Sequence, residues 1–96
     1  MYLLQIEHPV TNFALWKKTF DADPLDRRGS GVRRYSIFKM VEDPNYILIE
    51  LVFDERETAD VMYLKLQKLW NHAEGMIITA PKARLVETIE SHTYER

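Results

Sequence analysis

The segment NYILIELVF, residues 45–53, most constrains the fold because it is typical of a strand that is apolar on both faces. Alternate side chains of a strand point to opposite faces of its sheet. One face of this strand therefore carries Ile47, Ile49, Leu51 and Phe53. The other carries Tyr46, Leu48, Glu50 and Val52. A chain of 96 residues has only a modest core, so we expect something beyond the chain itself to cover the second face.

The length and composition indicate one globular domain over residues 1–96. A net charge of −2 argues against a nucleic-acid partner, because such proteins usually present a strongly basic face. The absence of cysteine excludes a disulfide framework, thiolate catalysis and a cysteine-ligated metal, and it fits a cytoplasmic location. The first ten residues contain neither a basic leader nor a long apolar run. We therefore expect no signal peptide, transmembrane helix or membrane partner.

Hydrophobic periodicity predicts four strands and two helices. Strands are expected over residues 2–8, 32–41, 45–53 and 83–91. The first helix follows a cap at Thr11 or Asn12 and ends near Asp23, before Pro24. The second helix starts at a capping box formed by Asp54 and Glu57 and ends at Gly75. The sequence EDPN, residues 42–45, predicts a tight turn that joins strands two and three as a hairpin.

The predicted order βαββαβ leads to one topology. Right-handed crossovers place both helices on the same face of one sheet. The strand order that fits is 4-1-3-2, antiparallel throughout, which is the α+β ferredoxin-like arrangement. Strand three then lies inside the sheet, with its second face bare in a monomer. Burying even ~400 Å² of such surface offers up to ~10 kcal/mol, so we expect a second copy to cover it. The predicted homodimer interface contains Tyr46, Leu48, Glu50 and Val52; the alternative is a bare, partly polar face.

Glu50 is the exception in that interface. A carboxylate is costly to bury without a partner. We therefore expect Arg84 or Arg34 to pair with Glu50, or the interior between the two sheets to contain water. A structural ion pair and a catalytic acid are the two interpretations.

Three segments resemble the dimeric α/β-barrel superfamily, close to the antibiotic biosynthesis monooxygenase-like family. They are FALWKKTFD on the first helix, the DPN hairpin, and ILIELVFDERETAD, in which a strand with a central glutamate leads into an acid-capped helix. The resemblance covers essentially the whole chain and implies a dimeric α/β barrel. Family members include cofactor-independent monooxygenases, polyketide cyclases and haem-degrading enzymes. The resemblance thus implies an enzyme that acts on a small aromatic-type substrate without a bound cofactor. The alternative is a non-catalytic homodimer that binds a ligand or a partner protein.

Candidate site residues follow from the topology and the resemblance. His8, at the end of strand one, and His72, late in helix two, are the candidate catalytic residues because histidine titrates near neutral pH. Trp16, Tyr35, Trp70 and Asn71 are the candidate substrate-binding residues, in a cleft of ~300 Å³ or more between helices and sheet. The alternative is that Trp16 and Trp70 are core residues and that His8 is structural.

Two further groups of residues contain side chains that could bind a ligand. The histidines do not predict a metal site, because His8 and His92 should lie roughly 20 Å apart at ~3.3 Å per residue. The segment LDRRGSGVRRY, residues 25–35, contains four arginines that could bind a carboxylate or phosphate. Alternatively, three nearby acids neutralise them in a solvated loop: Asp21, Asp23 and Asp26.

Overall fold

A computed structural model describes residues 1–73 and 80–95, with side chains up to residue 71 in the first range. The elements are β1 (Tyr2–Pro9), α1 (Phe13–Asp21), β2 (Val32–Met40), β3 (Asp43–Phe53), α2 (Arg56–Ala73) and β4 (Lys82–Glu87). One sheet has the order β2-β3-β1-β4, and every neighbouring pair is antiparallel. This is the predicted 4-1-3-2 order read from the other edge, so the ferredoxin-like α+β fold is confirmed.

The register of the sheet explains the core. Leu4 lies opposite Leu51, and Ile6 lies opposite Ile49, so the middle of one face of the two central strands is aliphatic. Trp16 of α1 packs in the same buried cluster, together with residues of α2. Both helices therefore cover one face of the sheet. This helix-facing side of β3 consists, as predicted, of Ile47, Ile49, Leu51 and Phe53, all of them buried.

Helix α1 begins at a side-chain cap. The Asn12 side chain accepts a hydrogen bond from the Leu15 amide at 3.1 Å, as expected of an N-cap residue. An ion pair between Lys17 and Asp21 at 2.7 Å spans one helical turn. The helix ends at Asp21, two residues before the predicted end, because Asp23 already has a left-handed φ of 55°.

Two predicted turn and cap assignments are wrong by one or two residues. The hairpin tip is Val41–Glu42, since Met40 already pairs with Asp43. The Asp43 side chain instead accepts from the Asn45 amide at 3.0 Å. Helix α2 begins at Arg56, one residue too late for the capping box predicted from Asp54. The Asp54 carboxylate pairs with Arg33 at 3.4 Å.

Strand β4 ends at Glu87 and not at Ser91 as predicted. The physical reason is the length of its neighbour, because Glu87 pairs with Tyr2 at the start of β1. The Thr88 amide then donates to the Met1 carbonyl at 2.9 Å, one residue before the start of β1 at Tyr2. Residues 88–95 are exposed and lie outside the sheet. The predicted helix end at Gly75 lies outside the described residues.

The central position of β3 gives a stability prediction. We expect Ile47→Ala to lower the free energy of unfolding by about 2–5 kcal/mol, because Ile47 is fully buried and its removal leaves a cavity. Val41→Ala is the matched control, since Val41 is 96% exposed at the hairpin tip and should change stability by no more than about 0.5 kcal/mol. Urea denaturation measures both. Equal losses in the two variants would contradict the assignment of the core.

Candidate functional site

A cavity of about 100 Å³ lies between the helices and the sheet. His8, Trp16 and Trp70 line it, together with apolar side chains from β1, β3 and α2. Asp23 and Arg27 also line it; they belong to the loop after α1, at the opposite end of the sheet from His8. The cavity therefore runs along the helix-facing side of the sheet.

His8 is buried in this cavity because it continues the inward-facing series of β1 after Leu4 and Ile6. Only 2% of its surface is exposed. Its Nδ1 atom lies 3.1 Å from the Pro9 carbonyl oxygen. A carbonyl can only accept a hydrogen bond, so Nδ1 carries the proton. In the neutral ring the Nε2 atom therefore has the free lone pair.

Burial also fixes the charge of His8. Loss of solvation lowers the pKa of the imidazole below its ordinary value of 6.5. The hydrogen bond to the Pro9 carbonyl raises the pKa, but it is the smaller influence. His8 is therefore a neutral imidazole at pH 7, which is the form that can accept a proton.

Aromatic rings extend from His8 along helix α1. The His8 and Trp16 rings meet edge to face with 6.1 Å between centroids. Trp16 stacks on Phe20 at 5.1 Å, and Phe20 meets Tyr35 edge to face at 5.1 Å. Such contacts add to the stability gained from burial. Trp16 is thus a core residue and a cavity wall at the same time.

The predicted site residues fall into three groups. His8, Trp16 and Trp70 line the cavity. Tyr35 and Asn71 line other surfaces: Tyr35 is 44% exposed and faces an arginine-rich groove. Asn71 faces a shallow depression beside Ala80 and Pro81. The side chain of His72 lies outside the described residues, so its catalytic role stays a prediction.

The cavity is smaller than the cleft of ~300 Å³ or more that was expected for a substrate. Trp16 and Phe20 from α1 and Met62 and Leu66 from α2 occupy much of the space between the layers. Even a benzene-sized molecule needs a cavity of roughly 150 Å³. A ligand with an aromatic ring would therefore have to displace one or more of the lining side chains.

Sequence reasoning missed Arg27 as an individual residue. Its guanidinium donates to the Phe20 carbonyl at 2.7 Å, lies 3.3 Å from the Asp23 carboxylate, and stacks 3.8 Å from the centre of the Phe20 ring. The segment's composition showed four arginines but not which one turns inward. The predicted local neutralisation holds for Asp23. Asp21 pairs instead with Lys17, and Asp26 accepts from the Gly29 amide.

The sheet face opposite the helices, hereafter the outer face, places Glu50 in a hydrogen-bonded chain. Glu50 accepts from the Gln5 side-chain amide at 3.0 Å, and the Arg84 Nε atom donates to the Gln5 oxygen at 2.9 Å. Because arginine can only donate, this contact fixes the orientation of the Gln5 amide. The prediction that Arg84 or Arg34 pairs directly with Glu50 is therefore wrong, because Gln5 lies between Glu50 and Arg84. Gln5 lies directly opposite Glu50 in the register, a signal available once β1 and β3 are paired.

Neither a metal site nor a membrane span is found in the part of the chain that the structure describes. Within residues 1–73 and 80–95, no group of three or more histidine, aspartate or glutamate side chains could hold a metal ion. No helix in these ranges is both long enough and apolar enough to span a bilayer. His92 lies in the exposed C-terminal segment, where its ring meets Tyr94 at 4.6 Å.

Comparisons with known proteins identify the fold. No family model matches the chain, and no curated protein matches it. Solved structures match over nearly the whole chain. A candidate antibiotic biosynthesis monooxygenase of Deinococcus radiodurans has a TM-score of 0.73 at 13% identity, with full coverage of both chains. A Nitrosomonas europaea protein of unknown function has a TM-score of 0.70 at 15% identity, covering 99% of this chain and 95% of that one.

A third similar structure is a dimeric ferredoxin-like protein from an uncultured marine organism. Its TM-score is 0.63 at 14% identity, and the match covers 98% of this chain and 100% of the other. The chain therefore has the ferredoxin-like fold of the antibiotic biosynthesis monooxygenase-like proteins. Identities of this size establish the fold alone.

The lowered pKa of His8 predicts how stability depends on pH. The unfolded chain protonates this histidine near pH 6.5, whereas the folded chain resists protonation. The unfolded state thus binds more protons as pH falls below about 6.5, and the free energy of unfolding decreases. We expect urea denaturation between pH 7.5 and 5 to show a smaller decrease in His8→Gln than in the wild type. His92→Gln is the control and should behave as wild type; an unchanged slope in His8→Gln would contradict the assignment.

Proposed function

We propose that the protein is a homodimer that binds a small apolar or aromatic molecule in the cavity and uses His8 as a base. The observation that carries the proposal is the state of His8. Its Nδ1 atom lies 3.1 Å from the Pro9 carbonyl oxygen, burial lowers its pKa and so favours the neutral ring, and it lines an apolar cavity beside Trp16 and Trp70. This leaves Nε2, with its free lone pair, as the basic atom of the ring.

The reaction class that fits is cofactor-independent oxygenation or a polyketide-type cyclisation. Both begin by removing a proton from a phenol or from a carbon next to a carbonyl group, which is the step that a neutral imidazole performs. The tryptophan rings would hold a flat substrate, and the apolar walls would exclude water from the anion formed. The likeness in fold to proteins named as antibiotic biosynthesis monooxygenases supports this class. A cytoplasmic location stays a prediction.

The alternative is a non-catalytic homodimer that binds a ligand. The cavity of about 100 Å³ favours it, because typical substrate pockets measure about 300–1,000 Å³. In that case His8 would be a satisfied structural residue whose role is to hold the end of β1. The two alternatives differ in whether the bound molecule is changed.

The outer face supports the homodimer. Tyr46 and Leu48 of β3 lie on it half-buried, and the exposed Phe38 of β2 pairs opposite Leu48. Val52 also belongs to this face, but it is only 5% exposed within its own chain, so its predicted place in the interface is wrong. The chain from Glu50 through Gln5 to Arg84 crosses the middle of this apolar surface. Each of these polar groups already has a partner within the chain, which lowers the cost of covering them with a second sheet. The dimeric state of one similar structure agrees with this arrangement.

The dimer gives a direct mutational test. We expect Leu48→Asp to give monomers or insoluble protein, because a carboxylate in the interface would be buried without a partner. Val52→Asp should give insoluble protein for another reason, since Val52 is already buried within its own chain. Leu64→Asp is the control, since Leu64 is exposed on α2 and far from the outer face. Light scattering after gel filtration measures the mass. Soluble, unchanged dimers of the Leu48 variant would refute the interface.

Catalysis by His8 is tested with a hydroxynaphthalene as the probe. We expect tryptophan fluorescence to report binding and an oxygen electrode to report consumption, with His8→Gln lowering kcat by about 100-fold or more and KM changing little. His92→Gln should retain full activity. Binding without oxygen uptake or product would support the non-catalytic alternative, and unchanged activity in His8→Gln would contradict the role of His8.

A further inference from the structure

A groove of about 770 Å³ beside edge strand β2 concentrates positive charge on a chain that is acidic overall. Its lining contains four guanidinium groups against one carboxylate, that of Asp23. The arginines are Arg27, Arg28, Arg33 and Arg34, and Tyr35 completes the wall. The four like charges repel one another, so an anion bound in the groove would lower the electrostatic energy.

Two of the four arginines already have partners. Arg27 lies 3.3 Å from Asp23, and Arg33 lies 3.4 Å from Asp54. Within residues 1–73 and 80–95, Arg28 and Arg34 make neither an ion pair nor a side-chain hydrogen bond. They are therefore the two guanidinium groups in the lining that are available to a ligand.

Two segments of the backbone form this groove. The Val32 amide donates to the Arg27 carbonyl at 3.0 Å, and the Gly31 amide donates to the Arg28 carbonyl at 3.2 Å. These bonds fold the loop back so that Arg27 and Arg28 lie beside the start of β2. Gly31 permits this with a φ of 95°, and a Cβ there would lie 3.0 Å from Thr58.

An irregular register brings the other two arginines into the same groove. The pairing of β2 with β3 shifts between Val32 and Arg34. Consecutive residues of a regular strand point to opposite faces, whereas a bulge changes their direction. Beyond the bulge the pairing is regular, with Arg34 opposite Val52 and Tyr35 opposite Leu51. Arg34 therefore starts on the outer face and Tyr35 on the helix-facing side, and both border the groove at the free edge of β2. The loop and the bulge together place the arginines around one space.

We propose that this groove binds the oxyanion of a small organic ligand, a carboxylate or a phosphate, through Arg28 and Arg34. Guanidinium groups bind both anions with two parallel hydrogen bonds. Arg27 is held over the Phe20 ring at 3.8 Å and lies 5.0 Å from the Tyr35 ring, so it gives the groove a fixed charged wall. Binding in the groove does not require that the His8 cavity bind anything.

An NMR titration of the whole protein tests the proposal. Sodium benzoate, phenyl phosphate and inorganic phosphate are added separately at constant ionic strength, with sodium chloride making up the difference. We expect saturable shifts of the backbone amides of residues 28–35. Tighter binding of phenyl phosphate than of benzoate assigns the groove to phosphate ligands, and the reverse order assigns it to carboxylates.

Variants at exposed arginines locate the binding. Arg28→Gln and Arg34→Gln should each weaken binding, and the double variant should raise Kd at least tenfold. Arg56→Gln is the matched control, because Arg56 is exposed on α2 and pairs with Asp60 at 3.7 Å; its Kd should stay within twofold of wild type. Backbone amide chemical shifts outside the groove that match those of the wild type verify that each variant is folded. The proposal is overturned if none of the three anions gives saturable shifts, if the double variant binds as well as wild type, or if Arg56→Gln weakens binding equally.

Discussion

The pairing of β1 with β3 is the interaction on which the rest of the structure depends. These two strands form the centre of the sheet, and their aligned residues make one apolar surface from Leu4 to Phe53. Helices α1 and α2 bury that surface. The same pairing leaves a second apolar surface on the outer face, because β3 alternates between two sets of large side chains. The need to cover this second surface connects the fold of one chain with its proposed assembly.

The candidate chemistry depends on a single histidine, His8, in an otherwise aliphatic series on β1. His8 occupies the place that a third aliphatic residue of β1 would have after Leu4 and Ile6. Burial keeps its ring neutral, and the adjacent Pro9 carbonyl selects which nitrogen carries the proton. A general base needs both conditions. The small volume of the cavity limits the ligands that can enter without displacing side chains. Experiment must therefore distinguish catalysis from ligand binding alone.

The outer face shows how a polar group is tolerated in an apolar surface. Glu50 is connected to Arg84 through the Gln5 amide, and Arg84 also lies 3.9 Å from Glu7. Arg84 thus balances the negative charge of Glu50 through the Gln5 side chain and not by direct contact. An amide bridge holds two charged groups apart and satisfies each with a neutral partner. This arrangement fits an interface in which one polar row crosses the sheet beside the apolar side chains of Leu48 and Phe38.

The sequence was sufficient to predict the strand order, the helix-facing residues of β3 and the placement of His8, Trp16 and Trp70. Each of these depends on strand alternation or helical periodicity, which repeat along the chain and are read without distant contacts. The end of β4 could not be predicted because the length of β1 sets it. The inward turn of Arg27 depends on a loop with left-handed residues, and Phe20 of α1 lies between Tyr35 and the cavity. Such irregular backbone leaves little periodic signal in a sequence.

The most direct measurement of the central claim is an isotope-filtered NMR experiment on a mixture of methyl-labelled and unlabelled protein. It detects only contacts between different molecules. If two sheets face each other, the methyl groups of Leu3 and Leu48 will show contacts to the partner molecule, whereas those of Leu4 and Ile49 will show contacts only within their own chain. The absence of intermolecular contacts from the outer face, in a molecule that tumbles as an 11.4 kDa particle, would contradict the account.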